Sequence, residues 1–368
     1  MTIVIVMGTR PEAIKLAPLV AELRRRPNVA LRVVTTGQHR ELLNQVLATF
    51  AIVPDADLNV MQPEQSLADL SGRLLSGIDR FLAATTPDVL VVQGDTTSAF
   101  MCGLGAWYRH VPVAHVEAGL RTGSPLDPFP EEMNRRLTAR VASLHFAPTP
   151  RARLALLEEG IPDDTIFVTG NTVVDALLYI RRSESYKTVR LPITIDETQR
   201  LLVVTLHRRE SLGAPLAGMC GALRRIVEMR PDVRIVLPVH ANPAVQRIVR
   251  GSLGGDARID LIPPMDYFTF IKLLEASWLV LTDSGGVQEE APVLGRPVLV
   301  LRETTERPEA IECGVARAVG INPDAIVQQT LALLDSPAQY AQMARATSPF
   351  GDGHAAQRIA DILEARIG

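Results

Sequence analysis

Acidic residues stand just beyond the ends of apolar, strand-like runs at three places in this chain. Val89-Leu90-Val91-Val92-Gln93 runs into Gly94-Asp95-Thr96-Thr97, and Val111-Pro112-Val113-Ala114-His115-Val116 runs into Glu117-Ala118-Gly119-Leu120-Arg121. A short loop later, Pro128-Phe129-Pro130 leads into Glu131-Glu132 and the start of a basic helix. In an open parallel sheet the carboxyl ends of the strands line the ligand crevice. Asp95, Glu117 and Glu131 at such ends, with Arg10 and Lys15 from the first strand–helix unit, point to proton transfer beside an anionic substrate.

Two turns read as phosphate-handling elements. In Gly8-Thr9-Arg10-Pro11-Glu12 the glycine lets the chain turn and Pro11 suits a first helical position. Exposed N–H groups there, with Arg10, would face an anion; the alternative is a tight strand–helix turn with a solvated arginine. The second turn carries more. Trp278-Leu279-Val280-Leu281-Thr282-Asp283 is a buried strand, and Ser284-Gly285-Gly286 then opens a helix. Two glycines admit a phosphate to the backbone, and the helix N-terminus supplies N–H donors and a favourable dipole. Ser284 adds a hydroxyl, and Glu290 is placed to accept from a ribose diol. Arg302 and Arg307 follow the next strand in a dense charged loop. That loop suits either a diphosphate clamp or a solvated surface with internal ion pairs.

His207 ends the first strand of the second half, in His207-Arg208-Arg209-Glu210, where it can donate to a leaving phosphate or move a proton. His39, His115 and His240 carry ordinary structural readings. No pair of histidines has the helical spacing of a zinc hydrolase, no Gly-x-Ser-x-Gly elbow is present, and no Gly-x-Gly-x-x-Gly follows the first strand. The chemistry left is acid–base work on a nucleotide-activated compound, with no metal or redox cofactor expected.

These groups need a scaffold, and the apolar periodicity supplies one. Strands are expected at Ile3–Met7, Leu31–Thr35, Val89–Val92, Val113–Val116, His145–Ala147 and Ile166–Val168, then at Leu201–Thr205, Arg234–Pro238, Ile259–Ile262, Trp278–Leu281, Pro297–Leu301 and Ala316–Val319. Helical patterns such as Ala13–Arg25, Leu67–Ala84 and Arg151–Glu159 lie between them. Strands that alternate with helices and are apolar on both faces imply α/β architecture with parallel sheets. At 368 residues the chain is long for one core. We therefore expect two Rossmann-like, doubly wound domains, 1–170 and 171–352, with the active site in the cleft between them. A last helix at about 353–368 would pack on one of them. Composition is that of a soluble globular protein, 47% hydrophobic and 21% charged, and the net charge of −3 gives no nucleic-acid footprint. Three scattered cysteines and no apolar run of spanning length fit a cytoplasmic protein off the membrane.

At these residues the chain resembles the non-hydrolysing UDP-N-acetylglucosamine 2-epimerases. The stretches that carry the resemblance are residues 8–15, Thr36-Gly37-Gln38-His39-Arg40, Gln93-Gly94-Asp95-Thr96-Thr97, His115-Val116-Glu117-Ala118-Gly119-Leu120-Arg121, residues 128–135, 282–291 and 304–310, in the family's order. The resemblance implies a GT-B-like fold, a homodimer, and interconversion of UDP-GlcNAc and UDP-ManNAc without a cofactor, supplying ManNAc units for surface polysaccharide. It implies that Arg10, His207, Ser284, Gly285, Gly286, Glu290 and Arg307 hold UDP, that Phe270 lies beside the uracil, and that Asp95, Glu117, Glu131 and Lys15 face the sugar. Gln38, Arg208, Arg209 and His240 fall in segments where regulated members bind a second UDP-GlcNAc. Glu64 stands where several members carry an arginine, so weakened activation is expected. The competing readings are a hydrolysing epimerase, a GT-B glycosyltransferase and a catalytically silent nucleotide-sugar sensor.

Overall fold

The first strand, β1 (Thr2–Met7), reads Thr-Ile-Val-Ile-Val-Met, and five of its six side chains are buried. Such a strand has no polar face for water, so both sides must be covered, as crossover helices cover a parallel sheet. The computed structural model, which describes residues 1–368 except 38, 39, 63, 197 and 208–210 and only the backbone at 40–42, shows this arrangement twice.

The first sheet holds β1, β2 (Ala30–Thr35), β3 (Ala56–Asp57), β4 (Val89–Gln93), β5 (Val113–Val116), β6 (Leu144–Ala147) and β7 (Ile166–Val168). The second holds β8 (Arg200–Thr205), β9 (Val233–Pro238), β10 (Ile259–Ile262), β11 (Leu279–Thr282), β12 (Val298–Val300) and β13 (Ala316–Ala318). The orders are β3-β2-β1-β4-β5-β6-β7 and β10-β9-β8-β11-β12-β13, and all pairings are parallel. Each order reverses once, between β1 and β4 and between β8 and β11. At such a switch point the two flanking loops diverge to opposite faces and leave a crevice at the strands' carboxyl ends. Arg10 and Asp95 follow the strands at the first switch point, and His207 and Ser284 those at the second.

The chain divides into one unit of Met1–Tyr179 with Phe350–Gly368 and another of Ile180–Pro349. The first unit thus runs past residue 170, through most of the helix Thr172–Arg182. The last helix, Ala355–Ile367, belongs to it. Arg26 holds that helix through Glu364 and Asp361, both at 2.7 Å, and buried Asp175 accepts from the Ala356 N–H at 2.8 Å. The core of the second unit joins Leu202, Val204, Leu223, Ile235, Leu281 and Leu299, all fully buried.

Two features differ from the sequence reading. The first sheet has a seventh strand, β3, a two-residue Ala-Asp edge too short to show any period. The polar stretch Ser183–Tyr186, which the sequence suits to a linker or surface excursion, lies largely in the helix Glu184–Lys187, whose Tyr186 is buried and donates its hydroxyl to Glu275 at 2.6 Å. Among the described residues no helix is long and apolar enough to cross a membrane.

Candidate active site

Lys15 lies on the helix Arg10–Leu23, and its Nζ donates to both carboxylate oxygens of Glu117, at 2.7 and 2.6 Å. Gln93, the last residue of β4, donates its side-chain amide to the same carboxylate. Glu117 itself has φ +64°. This left-handed backbone costs a residue with a Cβ on the order of 1–3 kcal/mol and persists only where the surroundings enforce it. Flanking main-chain bonds do so: Gly94 N–H to the Val116 carbonyl and Ala118 N–H to the Phe146 carbonyl, each 3.0 Å.

Of the two readings the sequence allowed, the N–H groups of the Gly8-Thr9 turn fit the tight strand–helix turn. Its two N–H groups donate to Oε2 of Glu12, the Gly8 bond being 2.8 Å. Oε1 of Glu12 accepts from the Thr96 hydroxyl at 2.6 Å, so one buried carboxylate ties the turn after β1 to the turn after β4. Burial pushes the Glu12 pKa up, against the pull of these hydrogen bonds. A Cβ on Gly8 would sit 2.6 Å from the Ser98 hydroxyl, so the two turns meet across a glycine. Arg10 begins the helix and is half-buried.

Asp95 is half-buried, and its carboxylate accepts from the buried guanidinium of Arg135 on the helix Glu131–Val141. Glu131 is the first residue of that helix and half-buried, whereas its neighbour Glu132 is fully buried. His115, on β5, donates from Nε2 to the Gly94 carbonyl at 2.7 Å, which fixes Nε2 as the protonated nitrogen of its neutral ring. Burial lowers its pKa to about 3, from a usual 6.5. The folded protein therefore leaves His115 neutral where the unfolded chain protonates it. The resulting stability is complete above pH 6.5 and is lost as pH falls toward about 3. His115→Gln should flatten the pH dependence of the unfolding free energy measured in urea in this window, by up to ~1.4 kcal/mol per pH unit. An unchanged slope would mean that the imidazole titrates normally in the fold.

In the second unit, Asp283 at the end of β11 is fully buried and accepts from the His207 N–H at 2.7 Å. Its other oxygen lies 2.8 Å from His207 Nδ1. The His207 ring is exposed and lies against that of His240, with centroids 6.2 Å apart. Ser284 is the N-cap of the helix Gly285–Val293, and its hydroxyl does not cap its own helix. The first-turn N–H groups of such a helix have no intrahelical partner. A Cβ on Gly285 would meet Glu306 Oε1 at 2.7 Å and Arg307 Nη1 at 3.0 Å, so glycine lets the helix start against this ion pair.

Arg307 and Arg302 are neither solvated nor a simple clamp. Arg307 Nε pairs with Glu289 and its Nη1 with Glu306, while Glu306 also holds Arg302, each contact 2.7 Å and all four side chains buried. Glu290 is buried and accepts from the Tyr267 hydroxyl at 2.7 Å. Tyr267 begins the helix that carries Phe270 one turn later, half-buried. Gln38, Arg208 and Arg209 lie outside the described residues. Sequence reasoning missed Glu12, Gln93, Arg135, Asp283 and Glu289 as partners. Only Glu12 carried a local signal, the Thr9-x-x-Glu12 capping-box spacing.

Two doubly wound units, with charged and Gly-rich turns at both switch points, define the GT-B-like class of nucleotide-sugar enzymes. A glycosyltransferase of kitacinnamycin shares this fold, with TM-score 0.68 at 13% identity over 100% of this chain and 99% of that one. The chain belongs to the UDP-N-acetylglucosamine 2-epimerase family, whose model matches residues 21–364. It is 48% identical to the UDP-N-acetylglucosamine 2-epimerase of Salmonella typhimurium over 99% of both chains. It is 40% identical to the Neisseria meningitidis UDP-GlcNAc 2-epimerase solved with UDP-GlcNAc bound, with TM-score 0.96 and full coverage of both chains, 100% each.

Proposed function

We propose that this protein is a non-hydrolysing UDP-N-acetylglucosamine 2-epimerase that interconverts UDP-GlcNAc and UDP-ManNAc. The observation that carries the reading is the pair of strand-end carboxylates, Asp95 on Arg135 and Glu117 on Lys15, beside the switch point of the first sheet. The C2 proton of an N-acetylhexosamine is not acidic, so its removal needs help. Expelling UDP from C1 provides it: the C2–H electron pair forms the C1–C2 double bond as the C1–O bond breaks. Charge then develops on the diphosphate, where helix N–H groups and cations stabilise it. The products of this half-reaction are UDP and a 2-acetamidoglucal. Protonation at C2 from the opposite face, with return of UDP to C1, gives the epimer.

Asp95 and Glu117 take and return the proton in this scheme, Lys15 orients Glu117, and Glu131 assists. Arg10, Ser284, Gly285, Gly286 and Arg307 hold the diphosphate, His207 donates to it, Glu290 accepts from the ribose and Phe270 lies beside the uracil. The scheme requires no metal or redox cofactor. A cytoplasmic homodimer supplying ManNAc units for surface polysaccharide completes the reading, with activation by a second UDP-GlcNAc weakened at Glu64.

Proton NMR of UDP-GlcNAc with the purified protein in D₂O tests it. UDP-ManNAc carrying deuterium at C2 is the expected product. Free ManNAc with UDP would select the hydrolysing reaction instead. An unchanged sugar with UDP still bound would remove the epimerase reading in favour of a glycosyltransferase or a sensor.

A further inference from the structure

Asp95 follows Gly94, which has φ +72° and whose N–H and carbonyl are held by the Val116 carbonyl at 3.0 Å and by His115 Nε2 at 2.7 Å. The helix Glu131–Val141 holds Asp95 itself. Asn134 Nδ2 donates to the Asp95 carbonyl at 3.0 Å, and Arg135 Nη2 donates to the Asp95 carboxylate. The other arm of the same guanidinium, Nη1, lies 3.2 Å from Oε2 of Glu132. Glu132 is in turn fixed by the Thr122 N–H at 3.2 Å and by Arg136 Nε at 3.0 Å. Arg135 is therefore a buried fork between two carboxylates, one facing the crevice and one sealed beneath the helix.

We propose that Arg135 is the positioning residue of Asp95, with Glu132 anchoring the guanidinium so that it sets the direction in which the Asp95 carboxylate points. The inference rests on the assignment of Asp95 to proton transfer. Its physical basis is the fork. A planar guanidinium can hold two carboxylates on different elements at a fixed angle, whereas a lysine ammonium, a point charge with three rotatable donors on a flexible stem, imposes no such angle. Misplacing a reacting group by about 1 Å can cost about 10² in rate. The tether also gives Glu132 a role unlike that of Glu131, since a side chain with no exposure cannot reach substrate.

Arg135→Lys keeps the charge and removes the fork. It should lower kcat by about 10²-fold with KM for UDP-GlcNAc within about threefold. Arg135→Met would strand the buried Glu132 charge and risk unfolding. The doubly neutral variant Glu132→Gln/Arg135→Met avoids this, and it should keep the native circular dichroism spectrum and show the same kcat loss. If Arg135 acts through Asp95, adding Arg135→Lys to Asp95→Asn should cost nothing further. Full additivity in that cycle, or wild-type kcat in a folded Arg135 variant while Asp95→Asn is inactive, would overturn the inference alone. Asp95→Asn with wild-type turnover would instead remove Asp95 from the reaction, and with it the reading on which the inference rests.

Discussion

Glu117→Gln should lower turnover by about 10²–10⁴-fold, the usual contribution of a positioned acid–base group, and leave UDP affinity nearly unchanged. The substitution keeps size, hydrogen-bonding oxygen and the tolerance of the site for φ +64°, but the amide can neither take nor return a proton. Lys15 and the Gln93 amide, which both donate to this carboxylate, would face one acceptor oxygen where two now stand. Part of the loss therefore reflects disorder at Lys15. Glu117→Asp separates the two effects, because it keeps the proton chemistry and shortens the reach. Rates by NMR and UDP titration by calorimetry read both quantities. A Glu117→Gln enzyme with near-wild-type turnover would exclude the carboxylate from the proton transfer.

The second large effect is one of stability. Glu289→Ala should destabilise the second unit by about 3–5 kcal/mol, the usual result of removing one partner from a buried ion pair. Without Glu289, Arg307 would lose a buried carboxylate partner, while Arg302 and Arg307 would still both pair with Glu306. Trp107 and Trp278 are the chain's two tryptophans, one in each unit. In a Trp107→Phe background, fluorescence reports Trp278, which stacks on Tyr340 at 4.1 Å, and so follows the second unit through a urea transition. Adding Arg307→Leu should recover part of the loss by removing the stranded charge. A loss below about 1 kcal/mol would show that water reaches and solvates the network.

The strands were legible because a strand buried on both faces leaves a continuous apolar run, as Val89 to Val92 does. β3 was not, because two residues cannot display a period and Asp57 is polar. The strand-end residues Arg10, Asp95, Glu117, His207 and Ser284 could be placed for the same reason, since each is tied by a few bonds to a recognisable strand. Lys15 was placed among them, but which side chain pairs with which could not be read. Arg135 meets Asp95 across 40 positions and Lys15 meets Glu117 across 102, and no local pattern encodes such a pairing. The Gly8-Thr9 turn was left with two readings for a different reason. A capping box and an anion nest share the same Gly and Thr signature, and the nearby Glu12 decides between them by occupying the N–H groups itself.

The docking of the helix Ala355–Ile367 on the first unit bears on the order in which the protein is made. The second unit is an insertion in the first, and its residues, Ile180–Pro349, all emerge from the ribosome before Phe350–Gly368. Domains in general fold during synthesis as their residues become available. Here the later unit can close first, while the earlier one waits with the surface of its Arg10–Leu23 helix and the carboxylate of Asp175 uncovered. The unit carrying Asp95 and Glu117 thus cannot be completed until the end of the second unit has left the ribosome.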